Sequence, residues 1–430
     1  MNAHLNRPIE WRPRILAWLA GWVAFLTIFD WYELFDVPFL RNPSALTAVL
    51  LVTVYFFKRG MRFKLTRQDH PQLWLLVFLF FTIILELYRE LVSGHGSLVS
   101  TMIWYLQYVQ VAVLFLLISD ICRDPRHLFL IWSGVIAGAF FMATAVIFQF
   151  PAFTEEVEGL VRRGFAGVNL NRQSYYYALS IITLVWALLE RRHRLDLTFF
   201  VTVVGIFILF LPMLWTASRG PFIALVFGLA TLLVITMRRR NVRTHFTYAP
   251  LIIAGLFTLA AQSELLVQRM QLAIEGEHLA LRDVIFSASI QLINERPLFG
   301  YGAAHTRFVG HAIGFGGGYS PHNVFFQVIL SFGLIAFVFW SLFIGSVLMK
   351  LLKHRNNPVT TLFVSLLVCS LVYGFTGGIA HDKYFWFVLG LSVFAWRSNV
   401  PSVIFSEWKK KRRNTMVFKA SGESGHRTQF

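Results

Sequence analysis

Four stretches of the sequence set arginine, histidine or asparagine beside long apolar runs. The first is 155–173, with Arg162, Arg163, Asn169, Asn171 and Arg172. The second is "WTASRGPF" at 215–222, with Arg219. The third is 275–305, with Arg282, and the fourth is "GGGYSPHNVFFQ" at 316–327, with Tyr319, His322 and Asn323. Arginine stays charged, and its planar fork matches a pair of phosphate oxygens. Several such groups suit an anionic ligand, and a diphosphate leaving group needs that support as its bridging bond breaks. In the fourth stretch Ser320 is a good N-cap and Pro321 fits the first helical position, which predicts His322 in the first turn. The helix dipole there disfavours an imidazolium, so the ring stays neutral and can serve as a general base.

Each feature has a plainer reading. An arginine at a helix end commonly snorkels to a lipid phosphate. Arg219 stands apart, in a very short connection with little other charge, whereas Arg162, Arg163 and Arg172 are not separable by position. His305, His311 and His381 read as solvated loop histidines, and "YFWF" at 384–387 as an interfacial belt. Ser218-Arg219-Gly220 is no serine triad, and no GxSxG occurs. The acids near these stretches form no DxD pair of the kind that would hold a divalent cation on a diphosphate; "EGE" at 275–277 comes nearest. The chemistry is expected to need no metal and no cofactor. Cys122 and Cys369 form no paired framework.

These residues need elements to hold them, and the composition says which kind. The chain has 430 residues, 56% of them apolar, with 44 Phe and 13 Trp and a mean hydropathy of +0.60. That is a polytopic membrane protein. Apolar spans fall at roughly 14–32, 42–58, 72–91, 99–119, 127–150, 173–190, 196–216, 220–237, 246–263, 322–350, 358–378 and 383–398. The first reads as a retained helix, since no small-residue cleavage site follows it. With the N-terminus cytoplasmic, 28 of the 39 Lys and Arg fall in cytoplasmic segments, including 58–67, 190–194, 238–243 and 409–413. The positive-inside rule is met, so the net charge of +17 marks topology and lipid headgroups, not nucleic acid. All four stretches then share the outer face. The organisation expected is nine spans over 1–263 with a short outer loop at 151–172, a large outer loop at 264–321, three spans over 322–404 and a basic tail at 405–430. Within the large loop, Leu281, Val284, Ile285, Ala288 and Leu292 keep to one helical face, an amphipathic pattern suited to the membrane surface.

The order "SRG", then "RDVIFSASIQLINERPLFGYG", then "PHNVFFQVILSFGLIAF" resembles the O-antigen ligase and polymerase superfamily, and within it the lipid A–core ligases. The likeness runs over about 160–400 and is sharpest in 215–345. It implies an all-α, GT-C-like protein of about twelve transmembrane helices in the bacterial inner membrane, with helices in its periplasmic loop. The implied activity is inverting, metal-independent transfer of O-antigen polysaccharide from undecaprenyl diphosphate to lipid A–core. Carried over by motif, the catalytic base is His322 and the diphosphate-binding arginines are Arg163, Arg219 and Arg282. Arg162, Arg172, Asn169, Tyr319 and Asn323 are secondary candidates. Polymerases and protein O-oligosaccharyltransferases would use the same donor with another acceptor. A transporter of lipid-linked sugar would call for paired broken helices and charges at mid-depth.

Overall fold

The computed structural model describes residues 12–30, 43–59, 70–93, 98–149, 152–157, 160–165, 168–190, 196–238, 248–275, 282–314 and 318–397. The tail at 405–430 and most of the basic segments at 58–67, 190–194 and 238–243 lie outside those residues, as does Glu277.

Among the described residues the elements are helices, apart from one hairpin. Its first half holds α1 (Arg12–Leu26), α2 (Pro43–Arg59), α3 (His70–Ser93), α4 (Leu98–Ile121) and α5 (Pro125–Ile147). An antiparallel pair, β1 (Ala152–Val157) and β2 (Leu160–Phe165), follows within the 151–172 loop, where the sequence pattern had suggested no strand. Next come α6 (Leu170–Leu189), α7 (Leu197–Thr216), α8 (Arg219–Met237) and α9 (Tyr248–Gln262). The large loop carries α10 (Glu264–Glu275), α11 (Arg282–Glu295) and α12 (Thr306–Ala312), before α13 (Val324–Lys353), α14 (Pro358–Gly374) and α15 (Lys383–Arg397). Among the described residues six helices are long and apolar enough to cross a bilayer, namely α3, α4, α5, α7, α8 and α13. The protein is an integral membrane protein.

Its core lies around α14 and α15. Every residue of α15 from Tyr384 to Trp396 is buried, and α14 packs against α6, α8, α13 and α15. A helix apolar on all sides and enclosed on all sides is a core element. This explains why α15, at 15 residues, is shorter than the roughly 20 that a lipid-facing span requires.

The element that positions the end of the bundle near residues 282 and 322 is α13, which is 30 residues long and broken at Gly333. Gly333 sits at φ 79° and ψ 177°, a region open essentially to glycine alone. A break inside a spanning helix frees backbone groups that lipid cannot satisfy. Here the segment 297–302, "PLFGYG", satisfies them. Tyr301 N–H donates to the Leu330 carbonyl and Gly302 N–H to the Ser331 carbonyl, each at 2.7 Å. Leu334 N–H donates to the Pro297 carbonyl at 2.8 Å. The fit is close: a Cβ on Gly333 would lie 2.0 Å from the Leu298 carbonyl oxygen. From α3, the buried Glu86 accepts the Ala303 N–H at 2.9 Å and pairs with Arg89 at 2.9 Å. His305, expected in solvent, is instead 1% exposed, because the seated loop carries it inward, where its Nδ1 meets Ser331 Oγ at 2.9 Å. His381, from the same expectation, is half-buried with its ring edge-on to Tyr108.

The seated loop sets α11 beside the first half of α13, running parallel to it. Phe286 packs on Phe326, Leu292 and Leu330 share one small apolar cluster, and Pro297 reaches Leu334. The top of this pair therefore holds Arg282 next to His322.

Two outcomes follow from this packing. Gly333→Ala meets both a forbidden backbone region and a carbonyl oxygen, so it should destabilise the protein by about 3 kcal/mol or more. Gly345→Ala on the same helix meets nothing within 4 Å and should be neutral or stabilising by up to about 1 kcal/mol. Thermal unfolding in detergent compares the two. Burial pushes His305 down to about 4 from its ordinary 6.5. The unfolded chain then takes up that proton first, so the contribution is intact above pH 6.5 and is lost as pH falls toward 4. The unfolding midpoint should drop between pH 7 and pH 5, and His305→Gln should flatten the drop.

Candidate functional site

Strand β2, the head of α6, the α7–α8 turn, α10, the head of α11 and the start of α13 meet at one end of the bundle around a cavity of about 240 Å³. Its lining comprises Arg162, Asn169, Leu170, Asn171, Ala217, Ser218, Arg219, Gly220, Arg269, Arg282 and His322. Residues separated by up to 160 positions in sequence are thus brought to one place, for local reasons that can be followed one at a time.

Arg219 opens α8. The connection from α7 is only Ala217, at φ 46° and ψ 38°, and Ser218, the N-cap residue. So short a turn fixes the arginine at a helix N-terminus, where unpaired N–H groups and the dipole already favour an anion. Its Nη1 donates to the Arg269 carbonyl at 2.9 Å, which ties α8 to α10. Arg162 comes from β2 and is 7% exposed. Its Nε donates to the Thr216 carbonyl at 2.7 Å and its Nη2 to Ser218 Oγ at 3.1 Å. The guanidinium therefore satisfies the carbonyl end of α7 and pins the hairpin over the α7–α8 turn. Asn169 caps α6, its Oδ1 accepting from Asn171 N–H at 3.0 Å and Arg172 N–H at 3.3 Å.

Strand alternation separates the two adjacent arginines. Successive side chains in β2 point to opposite faces, so Arg162 faces the cavity and Arg163 faces away. Arg163 is exposed, with its guanidinium 5.9 Å from the centre of the Trp215 ring, and it is not among the lining residues. Arg172 is also off the cavity wall. Its Nε lies 3.3 Å from Asp382 Oδ2, an oxygen that also accepts from the Tyr176 hydroxyl at 3.0 Å. Tyr319 packs into the small apolar cluster under α11, with its N–H on the Thr306 carbonyl at 3.0 Å.

Arg269 was not singled out by sequence reasoning. It lies on α10, is 7% exposed and lines the cavity. The available signal was its spacing: three residues after the buried Leu266, it shares that residue's inward face.

His322 stands differently from expectation. Helix α13 begins at Val324, and its N-cap is Asn323, whose Oδ1 accepts from Phe325 N–H at 2.9 Å and Phe326 N–H at 3.1 Å. Asparagine bonds the first turn directly, so the helix starts three residues later than a Ser320 cap would allow. Ser320 Oγ accepts instead from the His322 N–H at 3.4 Å. His322 itself is left-handed, at φ 49°, an uncommon state for a residue with a Cβ and one that clusters at functional sites. It is half-buried, and its pKa is lowered, first by burial and then by the Arg282 cation beside it. Arg282, the first residue of α11, is lowered by burial as well; Tyr373 counters this and Arg269 adds to it. An arginine remains protonated even so. The cavity can therefore hold a polyanion against fixed cations while keeping an uncharged imidazole at its edge. Among the described residues no group of three or more His, Cys, Asp or Glu is placed to hold a metal ion.

Residues 204–341 match the model of a family described as O-antigen ligase. The matched segment contains Arg219, Arg269, Arg282 and His322, four of the residues around the cavity. No curated protein matches the chain. The match covers about a third of the chain and supports membership of the O-antigen ligase superfamily and, in general terms, an enzyme of glycosyltransferase-like ligase or polymerase type.

Proposed function

We propose that the protein is an inverting, metal-independent glycosyltransferase. It moves O-antigen polysaccharide from undecaprenyl diphosphate to lipid A–core at the periplasmic face of the bacterial inner membrane, with both termini in the cytoplasm and about twelve spans in a GT-C-like arrangement. The observation that carries this reading is the convergence of Arg219, Arg269, Arg282 and Arg162 on one cavity with His322. In this reading Arg162 takes the place that the resemblance gave to Arg163, with Arg162 and Arg172 as secondary candidates, because it alone of the three lines the cavity.

The donor's diphosphate lies against the guanidinium groups and the N-terminus of α8. An acceptor hydroxyl approaches the anomeric carbon from the side opposite the diphosphate. As the new C–O bond forms, the hydroxyl proton passes to the neutral imidazole of His322. The bond from the anomeric carbon to the diphosphate oxygen breaks, and the electron pair leaves with the diphosphate. The arginines gain most from this last step, since charge on the departing oxygen grows in the transition state. The cleaved donor bond supplies the driving force, so no nucleotide is consumed.

The break in α13 invites comparison with transporters, whose unwound helices expose backbone to a substrate. Here the freed groups of Leu330, Ser331 and Leu334 are occupied by the chain's own 297–302 segment. That argues for a rigid mount in place of a substrate gate.

Replacing His322 by Ala should cut transfer by about 10²- to 10⁴-fold while lipid diphosphate binding is retained. The test is a reconstituted reaction with purified donor and lipid A–core, together with lipopolysaccharide gels of a deletion strain complemented by each form. A ladder on lipid A–core that persists with His322→Ala would remove the base from the mechanism. A ladder unaffected by the deletion would remove the ligase reading. Because a base must be neutral, kcat/KM should fall as pH drops through the pKa of His322, on a limb lying below 6.5. Arg282→Gln removes a cation that lowers that pKa, so the limb should move to higher pH. A limb that stays in place would place Arg282 too far from His322 to act on it.

A further inference from the structure

The seated loop ties Arg282 to His322. Arg219 stands on another helix, α8, and its distance from the histidine needs a separate explanation. Helices α8 and α13 share a neighbour, since both pack on α14. The last residue of α14 and the turn after it, 374–378 or "GFTGG", touch the heads of both.

On one side the turn meets the residue beside the arginine. A Cβ on Gly220 would lie 2.0 Å from Thr376 Oγ1 and 2.7 Å from Thr376 Cβ. Gly220 follows Arg219 and lines the cavity, so Thr376 stands directly behind the wall. Its side chain is held there, because its N–H and its hydroxyl both donate to the Tyr373 carbonyl, at 2.9 and 3.1 Å. On the other side the turn meets the head of α13. A Cβ on Gly374 would lie 2.7 Å from Val324 Cγ1. One on Gly378 would lie 3.2 Å from Ser320 Oγ, the atom that accepts the His322 N–H. Phe375 adds to this contact by packing on Phe325, at 4.6 Å between ring centres. None of Gly220, Gly374 and Gly378 has a positive φ. Close approach, not backbone conformation, is therefore what calls for glycine at all three.

We propose that this turn, with Thr376 as its key side chain, is a positioning element that sets the gap between Arg219 and His322. The proposal rests on the transfer reaction above, in which the arginine holds the departing diphosphate and the histidine takes the acceptor proton. Rate depends steeply on that gap, since a displacement of about 1 Å in a reacting group can cost ~10²-fold. A spacer built from close backbone contacts is stiff, because few side-chain rotations can lengthen or shorten it. The turn lies beyond the segment 204–341 that matches the family model, so the match itself assigns it no role.

The test is a double-variant rescue in the full-length protein. Gly220→Ala drives the head of α8 away from Thr376, so the Kd for undecaprenyl diphosphate should rise and kcat should fall, each by about tenfold. Thr376→Gly clears the space, so adding it to Gly220→Ala should recover most of both losses, although Thr376→Gly alone is harmful. Gly378→Ala crowds Ser320 on the histidine side and should lower kcat by about three- to tenfold with that Kd unchanged. Opposite signatures from the two ends of one turn suit a spacer, and a general loss of stability would not give them. The unfolding midpoint in detergent is therefore recorded for every variant. A double variant no better than Gly220→Ala would overturn the spacer, as would losses that merely follow the midpoint. The Kd needs no turnover, so a wild type that binds the lipid diphosphate without transferring would sink the transfer reading and leave the rescue to judge the spacer. A wild type that neither binds nor transfers would take both down.

Discussion

The end of the bundle that holds the cavity depends on one seating interaction, the insertion of residues 297–302 into the break of α13. Two carbonyls and one N–H, left open where the helix stops at Gly333, bond to Tyr301, Gly302 and Pro297. An unsatisfied backbone group inside a membrane protein costs several kcal/mol. Neither half of the arrangement is tolerable alone, and together they lock. The lock carries α11 alongside the upper part of α13, and the two helix heads bring Arg282 to His322. Glu86 and Arg89 of α3 hold the same loop from the other side, so the mount is joined to the body of the bundle.

On that mount the electrostatics follow. Burial and the nearby Arg282 both lower the pKa of His322, so an arginine suited to the proposed diphosphate also favours the neutral form of the proposed base. A single lysine could not serve as well, since burial can strip its proton, whereas arginine keeps its charge. Arg162 shows how such a charge is held in place. Its bonds to the Thr216 carbonyl and to Ser218 Oγ consume the open end of α7 and fix the position of the hairpin.

Much of this was readable from residue types, and what was not has identifiable causes. Long apolar runs announce spans because hydrocarbon requires them, so the membrane class was plain. Arg219, Arg282 and His322 stood out because each sits where a polar residue borders an apolar helix. The choice among Arg162, Arg163 and Arg172 was closed to that logic: it depends on a strand, and a six-residue strand in a polar loop leaves little periodic trace. Arg269 hid within an amphipathic helix whose buried face is known only once its neighbours are placed. The cap of α13 was misjudged because Ser320 and Asn323 are both good N-caps, and only the geometry of the following turn selects one. His305 looked solvated in a polar segment, but the seating of that segment buried it.

The length of α13 links the lock to the site. About 20 residues cross the roughly 30 Å of hydrocarbon, and α13 has 30. Its far end is marked by Lys350 and Lys353, which hold the headgroup region on that side. Counting about 20 residues back from Lys350 reaches residue 330, beside Gly333. By that count the break falls at the end of the stretch that a hydrocarbon layer needs, and nine residues of α13 lie beyond it. A straight helix would carry His322 about 14 Å past that stretch, whereas a helix broken at Gly333 and pinned by its own loop can turn there. For the lipid-borne donor proposed above, whose diphosphate cannot rise from the membrane, a turn at Gly333 keeps the proposed base within reach.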